Sequence, residues 1–184
     1  MIKNITDMEL RKIKEYSRKA HDIATGHGFH DEKKSDAHWL CLVISELMEA
    51  VEADRKDNRA DMIGFVQKVS LHPEFSERYE AYIKGSVEEE LTDAVIRIFD
   101  LIAEKFPDMR LGEGFFPKPE TDKSFTEKAY DLIYGILGPD RIQLIDAISY
   151  IEEWARQLGF DLDWHIRQKM EYNAQRERLH GKKY

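Results

Sequence analysis

Residues 36–54 read DAHWLCLVISELMEAVEAD, and apolar side chains recur in this stretch at the three- and four-residue spacing of an α-helix. One stripe of the predicted helix consists of Leu40, Ile44, Leu47, Met48 and Val51. The opposite side carries Glu46 and Glu49, together with Leu42, Val43, Ala50 and Ala53. Because a helix that is apolar almost all round is typical of a buried element, this pattern places two acids in poorly solvated positions.

Two carboxylates three residues apart on a buried helix stay ionised only if something compensates for their lost solvation. Glu46 and Glu49 would either take up protons or be held by cations. Residues 87–104 predict a second helix with the same geometry, in which Glu90 and Asp93 lie one turn apart. If the two helices pack antiparallel, four carboxylates converge without any His or Cys. That is the ligand set preferred by Mg²⁺ or Mn²⁺.

A purely structural interpretation of the same acids stays open. Glu at three-residue spacing is common on solvated helices, and Asp93 could simply pair with Arg97 four residues further on. Burial distinguishes the two interpretations, since solvated helices would leave Leu42, Val43 and Ile96 exposed or covered without a pocket. Of the remaining side chains, we interpret three acids as solvated and the cysteine as a small buried hydrophobe: Glu52, Glu88, Glu89 and Cys41.

Length and composition indicate one folded domain of 184 residues. The 36 acidic and 28 basic residues give a net charge of −8, which disfavours adhesion to nucleic acid or to an anionic membrane. The longest purely apolar run, Leu40 to Ile44, is far too short to span a bilayer, and the first residues do not resemble a secretory signal. A single cysteine excludes an internal disulfide and a cysteine-rich zinc site. We therefore expect a cytoplasmic protein without nucleic-acid or membrane partners.

The rest of the chain also predicts helices. Three capping boxes mark helix starts: Thr6 with Glu9, Ser86 with Glu89, and Ser124 with Glu127. Helices are expected over residues 6–23, 36–54, 62–69, 87–106, 124–138, 140–158 and from 161 or 163 to about 178. No long stretch alternates like a strand. The sequence thus predicts an all-α helical bundle in a single domain, 1–184, with extra helices and an irregular insertion around 108–140.

Three short motifs follow one another along the chain. Residues 46–49 read ELME, residues 90–93 read ELTD, and the tail carries K-x-x-x-N-x-x-R from Lys169, followed by the basic end HGKKY. In this order they resemble the ExxE, ExxD and C-terminal elements of the all-α nucleoside triphosphate pyrophosphohydrolases. This is the MazG-like superfamily, which includes dimeric dUTPases and dCTP pyrophosphatases. The match covers about 36–54, 87–106 and 155–184, while Ser45 stands where the family often has a further Glu, and 108–150 do not align.

The resemblance implies a metal-dependent enzyme that cleaves a ribo- or deoxyribonucleoside triphosphate into a monophosphate and pyrophosphate, in the housecleaning of nucleotide pools. Mg²⁺, or else Mn²⁺, would be held by Glu46, Glu49, Glu90 and Asp93. We assign Glu49 as the base that takes a proton from the attacking water. The resemblance also implies a homodimer or homotetramer.

Substrate contacts are expected from two parts of the chain. The resemblance implies that Lys169, Asn173 and Arg176 face the phosphates, and Lys182 is a further candidate. A nucleobase needs aromatic or apolar contacts, and His38, one to two turns before Glu46, is a candidate for one of them, as is Trp39.

Three other functions remain to be weighed. A ferritin-like di-iron bundle needs two Glu-x-x-His motifs, whereas this chain has only Glu177 with His180 in its charged tail. A non-catalytic helical nucleotide-binding or regulatory interaction module would use the acid pairs only as salt bridges. An inactive relative that binds nucleotides without cleaving them is the third, and Ser45 is its sole indication.

Overall fold

The computed structural model describes residues 7–107, 118–137 and 140–183, and within these ranges the chain forms helices and loops without a strand. The helices are α1 (Asp7–Gly26), α2 (Asp36–Arg55), α3 (Met62–Gln67), α4 (Phe75–Tyr82), α5 (Val87–Lys105), α6 (Phe125–Gly135), α7 (Arg141–Leu158) and α8 (Leu162–Ala174), and a 3₁₀ turn spans Arg178–Gly181. The all-α prediction is confirmed. None of these helices is long and apolar enough to cross a membrane.

Helix α5 occupies the centre of the bundle and packs against α1, α2, α7 and α8. One apolar stripe of α5 is buried throughout, with Leu91, Val95 and Ile98 excluded from solvent. Helix α2 runs antiparallel to it, because Asp36 at the start of α2 pairs with Lys105 at the end of α5. The two acid-bearing helices therefore pack antiparallel, which is the condition for their carboxylates to meet.

Helix α2 is buried on more than one side, although not all round. Val43, Ala50 and Ala53 are buried, as are Leu40 and Leu47 on the predicted stripe. The solvent stripe runs instead through four exposed positions at spacings of four, three and four: Cys41, Ser45, Met48 and Glu52. The predictions of a buried Cys41 and a core Met48 were wrong, because α5 and α6 cover other sides of this helix.

Polar caps fix the helix starts, largely where the sequence indicates. Ser35 caps α2 by accepting a bond from the amide of His38, and Ser124 with Glu127 forms a complete capping box. Ser86 accepts from the amide of Glu89, but the Glu89 carboxylate accepts from the amide of Gly85 rather than closing the box. The box predicted at Thr6 lies outside the described residues.

Two segments differ from the predicted elements. Helix α4 was not predicted, and its Tyr79 is buried in a small second core with Phe65, Ile83 and Tyr172. Helix α8 ends at Ala174, where the chain turns instead of continuing to residue 178. Within the predicted insertion, residues 108–117 and 138–139 lie outside the described residues, whereas α6 packs on α2 and α7.

Candidate metal and anion site

Three carboxylates from α2 and α5 converge in the bundle. One oxygen each of Glu46, Glu90 and Asp93 lies within 4.8 Å of the other two. Glu46 is 4% exposed and Glu90 is 8% exposed, so neither acid is a solvated surface group. The antiparallel packing brings the two motifs together, as the sequence predicts for a metal site.

The carboxylates of this cluster destabilise one another's charged form. Burial raises the pKa of Glu46, as does Asp93, whereas Arg97 lowers it. Burial raises the pKa of Glu90 to about 9, with further contributions from the charges of Asp93, Glu89 and the Glu46–Glu49 pair. No hydrogen bond or ion pair to the Glu90 carboxylate occurs among the described residues. A divalent cation would supply the missing positive charge and displace the proton from Glu90.

Two cations already contact the acids, and each has an unexpected partner. Arg97 pairs with Glu46 on the neighbouring helix, not with Asp93 on its own. Lys169 is 4% exposed and pairs with Asp93, at 2.7 Å, and with Glu89. The prediction that Glu89 is solvated was wrong, since it is buried beside Lys169. Burial alone would lower the pKa of Lys169, but Asp93 and Glu89 raise it above its usual range, so the ammonium group stays charged.

Glu49 stands at the edge of this arrangement. Its side chain is exposed, and one carboxylate oxygen accepts a hydrogen bond of 3.3 Å from Ser45. It is not one of the three acids that converge within 4.8 Å, although its charge contributes to the raised pKa of Glu46 and of Glu90. Glu49 is thus close to the cluster without being tied to a cation, which is compatible with the predicted role of a base.

A cavity of about 80 Å³ lies next to Glu46 and Asp93. Its polar lining includes five groups that can donate hydrogen bonds or offer positive charge: Arg97, Asn173, Arg176, His180 and Lys182. Its apolar lining comes from α1 together with Phe29, Trp39 and other side chains. The predicted residues Asn173, Arg176 and Lys182 therefore line one cavity, whereas Lys169 is not among its lining residues and pairs instead with Asp93 and Glu89.

Two buried polar atoms at this cavity have no hydrogen-bond partner among the described residues, namely Asn173 Oδ1 and His180 Nε2. Arg176 donates to His180 Nδ1 at 3.0 Å, so the single proton of the neutral ring resides on Nε2. Burial, followed by the charge of Arg176, lowers the pKa of His180 to about 3, which keeps the ring neutral. The cavity thus offers one unused acceptor and one unused donor to a ligand.

The predicted base contact has a different neighbourhood. His38 is half-buried at the start of α2 and meets Trp39 edge-to-face at 5.1 Å. It is Trp39, not His38, that lines the cavity among the described residues. Burial lowers the pKa of His38, as do the charges of Lys34 and Arg97.

Sequence reasoning missed Arg97, Glu89 and His180 as members of the site. The Ser86–Glu89 spacing was explained by capping, and Arg97 by pairing along its own helix, so neither suggested a contact between helices. His180 reaches the cavity only because the chain turns after α8, which no local pattern indicated. The sequence did predict that acids from both helices meet.

Comparison of the chain with protein-family models, curated proteins and solved structures found no match. The class that the described residues define is an all-α bundle with a buried carboxylate cluster beside a basic cavity wall. The function proposed below rests on that geometry and on the resemblance of the three motifs.

Proposed function

We propose that this protein is a Mg²⁺-dependent nucleoside triphosphate pyrophosphohydrolase that converts (d)NTP to (d)NMP and pyrophosphate. The observation that carries the proposal is the convergence of Glu46, Glu90 and Asp93 within 4.8 Å, next to a cavity lined by Arg97 and Arg176. An all-oxygen ligand set suits a hard cation such as Mg²⁺, or Mn²⁺ as the alternative. Cationic side chains in the lining of the same cavity suit the phosphate groups that such an ion accompanies.

Different residues of the site hold the metal, bind the phosphates, activate the water and contact the nucleobase. A Mg²⁺ ion held here would neutralise phosphate charge and polarise the bond under attack. Arg176 and Lys182 bind phosphate oxygens, and Asn173 completes the polar wall. Glu49 accepts the proton of the attacking water, because it is exposed to solvent at the cluster and makes no ion pair among the described residues. The nucleobase contacts the aromatic side of the cavity at Trp39, with His38 nearby.

The cavity must enlarge to admit a nucleotide, since ligand pockets usually enclose about 300–1,000 Å³. The 3₁₀ turn Arg178–Gly181 is the element suited to move. Its Leu179 and His180 both have a φ of 51°, in the left-handed region that non-glycine residues adopt only at some energetic cost. His180 in this turn and Lys182 directly after it line the cavity, so displacement of the turn opens the cavity.

Pyrophosphate release tests the proposal directly. Ribo- and deoxyribonucleoside triphosphates are screened with Mg²⁺ and, in parallel, with chelator. We expect release that requires the metal and that falls by at least about 100-fold in Glu90→Gln and Asp93→Asn, because losing a ligand should exceed the 10- to 100-fold effect of losing an outer partner. Glu46→Gln is expected to behave in the same way.

The matched control is Glu52→Gln, the same change on an exposed acid of α2. It should retain full turnover. Normal turnover in Glu90→Gln or Asp93→Asn, with the fold intact by circular dichroism, would refute the site.

One observation favours a second candidate, a non-catalytic nucleotide-binding or regulatory module. Arg97 and Lys169 already pair with three of the acids, as they would in a purely structural ion network. In that case nucleotide binding, measured by calorimetry, would be insensitive to Mg²⁺ and no pyrophosphate would appear.

We also propose that the protein is cytoplasmic and works as a homodimer or homotetramer, as the motif resemblance implies. Exposed apolar side chains at Tyr130, Tyr134 and Leu137 of the α6 segment are compatible with self-association. Size-exclusion chromatography with light scattering measures the mass. A monomer at all concentrations would contradict the proposed assembly.

A further inference from the structure

A second cluster of ligand-type side chains lies outside the carboxylate site. His21 on α1, His30 in the loop that follows it, and Glu104 on α5 each offer one ligand atom, and these atoms lie within 4.8 Å of one another. Asp100, one turn before Glu104, contacts both rings. Since Glu104 lies 11 residues after Asp93 on α5, the ligand positions that this helix gives to the two clusters are about 16 Å apart along its axis.

Asp100 orients both imidazoles. His21 Nδ1 and His30 Nε2 each lie 2.8 Å from Asp100 Oδ1, and a carboxylate can only accept, so both nitrogens carry protons. In neutral rings the remaining nitrogens, His21 Nε2 and His30 Nδ1, are then free of protons. Both of these lie 3.8 Å from the same oxygen of Glu104.

We propose that His21, His30 and Glu104 form a binding site for one Zn²⁺ ion, or an ion of the same borderline class, with Asp100 as the outer carboxylate that fixes both rings. Imidazole nitrogens with one carboxylate oxygen are a zinc ligand set, whereas the all-oxygen cluster suits Mg²⁺. Metal-binding histidines usually donate their other ring N–H to a carboxylate, which is the arrangement at Asp100. Three protein ligands leave a coordination position open.

The distances from the two imidazoles to Glu104 suit this ion after a small contraction. Bonds of about 2.0–2.2 Å in tetrahedral geometry place ligand atoms about 3.4 Å apart, compared with the 3.8 Å from each imidazole to Glu104. Glu104 is half-exposed and can close the difference by a change of side-chain torsion. His30 is held by stacking on Trp39, at 4.8 Å between ring centroids.

The rival interpretation is a pair of protonated imidazoles that bridge Asp100 and Glu104. It also balances the two negative charges, and the hydrogen bond to Asp100 does raise the pKa of His21. Protonated rings, however, would donate N–H bonds to Glu104 at about 2.7–3.2 Å. Both separations are 3.8 Å, so the rings face Glu104 without bonding to it.

The proposed zinc site adjoins the cavity beside the carboxylate cluster. Asp100 and Trp39 line the cavity described above, and His30 contacts both of them. An ion at this cluster therefore ties the loop after α1 to α5 and stiffens one cavity wall. This inference does not depend on the proposed pyrophosphohydrolase activity, because it concerns different ligands.

The test is a Zn²⁺ titration by calorimetry on the full chain, stripped with chelator and then held in excess Mg²⁺ to occupy the carboxylate cluster. The titration is run at about pH 8, because protons compete with the metal for the ligand atoms. We expect one Zn²⁺ per chain, with affinity reduced by at least about 100-fold in His30→Gln and in Glu104→Gln. Co²⁺ should replace Zn²⁺ and give the intense visible absorption of a low-coordinate site, which both variants lose.

His27→Gln is the matched control, because His27 lies in the same loop but packs against His180 instead of joining the cluster. It should bind Zn²⁺ like the unmodified chain. If His30→Gln fails to fold, the Zn²⁺ affinity of Glu104→Gln is the deciding measurement, because Glu104 is half-exposed. No Zn²⁺ binding in excess Mg²⁺, or binding that Glu104→Gln leaves unchanged, overturns the inference.

Discussion

Lys169 is the residue on which the burial of two acids depends. Its ammonium group pairs with Glu89 and Asp93, and it is almost completely buried. Lys169→Met would leave both carboxylates without a cation in a poorly solvated environment. We expect a loss of about 3–5 kcal/mol in the free energy of unfolding, the usual consequence of removing one partner of a buried ion pair. Urea denaturation in the presence of chelator measures it.

Lys56→Met provides the matched control, since Lys56 is an exposed lysine whose ion pair with Glu52 is on the surface. That variant should stay within about 0.5 kcal/mol of the unmodified chain. The double variant Lys169→Met with Glu89→Gln should recover part of the loss. Equal stability of the two single lysine variants would show that Lys169 does not hold the acids.

Single residues were predictable from the sequence only where a repeat pattern carried the information. The three-residue spacing located Glu46, Glu90 and Asp93, and the structure brings them together. The ion-pair partners were not predictable, because Arg97 and Lys169 reach acids on other helices, and no spacing along one helix reports the packing between two. Glu89 illustrates this, since its spacing from Ser86 indicated a helix cap and gave no sign of its buried ion pair with Lys169.

Gly159 tests how one element ends. It closes α7 with a φ of 85°, and a Cβ added there would meet nothing within 4 Å. Gly159→Ala therefore introduces backbone strain without a steric clash. We expect a destabilisation of about 1–2 kcal/mol, which is the penalty of the left-handed conformation for a residue with a Cβ. Thermal unfolding should show a lowered Tm.

Gly135→Ala makes the same chemical change at the end of α6, where a Cβ also meets nothing within 4 Å and φ is not positive. Because alanine loses less conformational freedom on folding, this variant should be stabilised by about 0.5 kcal/mol. The two substitutions should thus have opposite signs. A loss of stability in both would indicate an effect other than the backbone.

Arg176 holds the C-terminal turn in place over the cavity. Its guanidinium donates to Nδ1 and to the backbone carbonyl of His180, each at 3.0 Å. Arg176→Ala should free the turn and remove a phosphate contact. We expect amide hydrogen exchange across residues 178–183 to accelerate and KM to rise by about 10-fold or more, since a hydrogen bond to a charged group contributes about 1.5–3 kcal/mol.

Mg²⁺ affinity should not change in Arg176→Ala, because Arg176 does not contact the carboxylate cluster. Arg167→Ala, which removes an exposed arginine of α8, serves as the control and should leave exchange and KM unchanged. An unchanged kcat/KM in Arg176→Ala would remove this residue from the substrate site.

At the level of elements, the sequence predicted the long helices well because their apolar stripes and serine caps agree with each other. Helix α4 was not predicted, because Glu74 offers no side-chain cap and because its buried residue, Tyr79, is an aromatic residue in a polar stretch. The early end of α8 and the turn after it depend on tertiary contacts, such as the bond from the amide of Leu179 to the carbonyl of His27. Such contacts leave no local pattern.

The whole molecule carries an excess of eight negative charges, and its core contains acids that resist ionisation. Glu90 has a pKa of about 9 in the folded state, well above its usual 4.5. A group whose pKa is raised by folding stabilises the native state fully below about pH 4.5, and this contribution is lost as the pH rises towards 9. Buried Glu46 and Glu89, whose pKa values burial also raises, act in the same direction.

The metal-free protein should therefore lose stability between neutral pH and about pH 9, and Mg²⁺ should restore it because the ion binds the native state alone. Glu90→Gln, which mimics the protonated acid, should flatten this pH dependence and remove the response to Mg²⁺. Urea unfolding at a series of pH values, with chelator or with Mg²⁺, measures both effects. Glu52→Gln should retain the original profile. If Glu90→Gln leaves the pH dependence unaltered, the Glu90 carboxyl group of the unmodified chain is already ionised without metal, which contradicts the prediction.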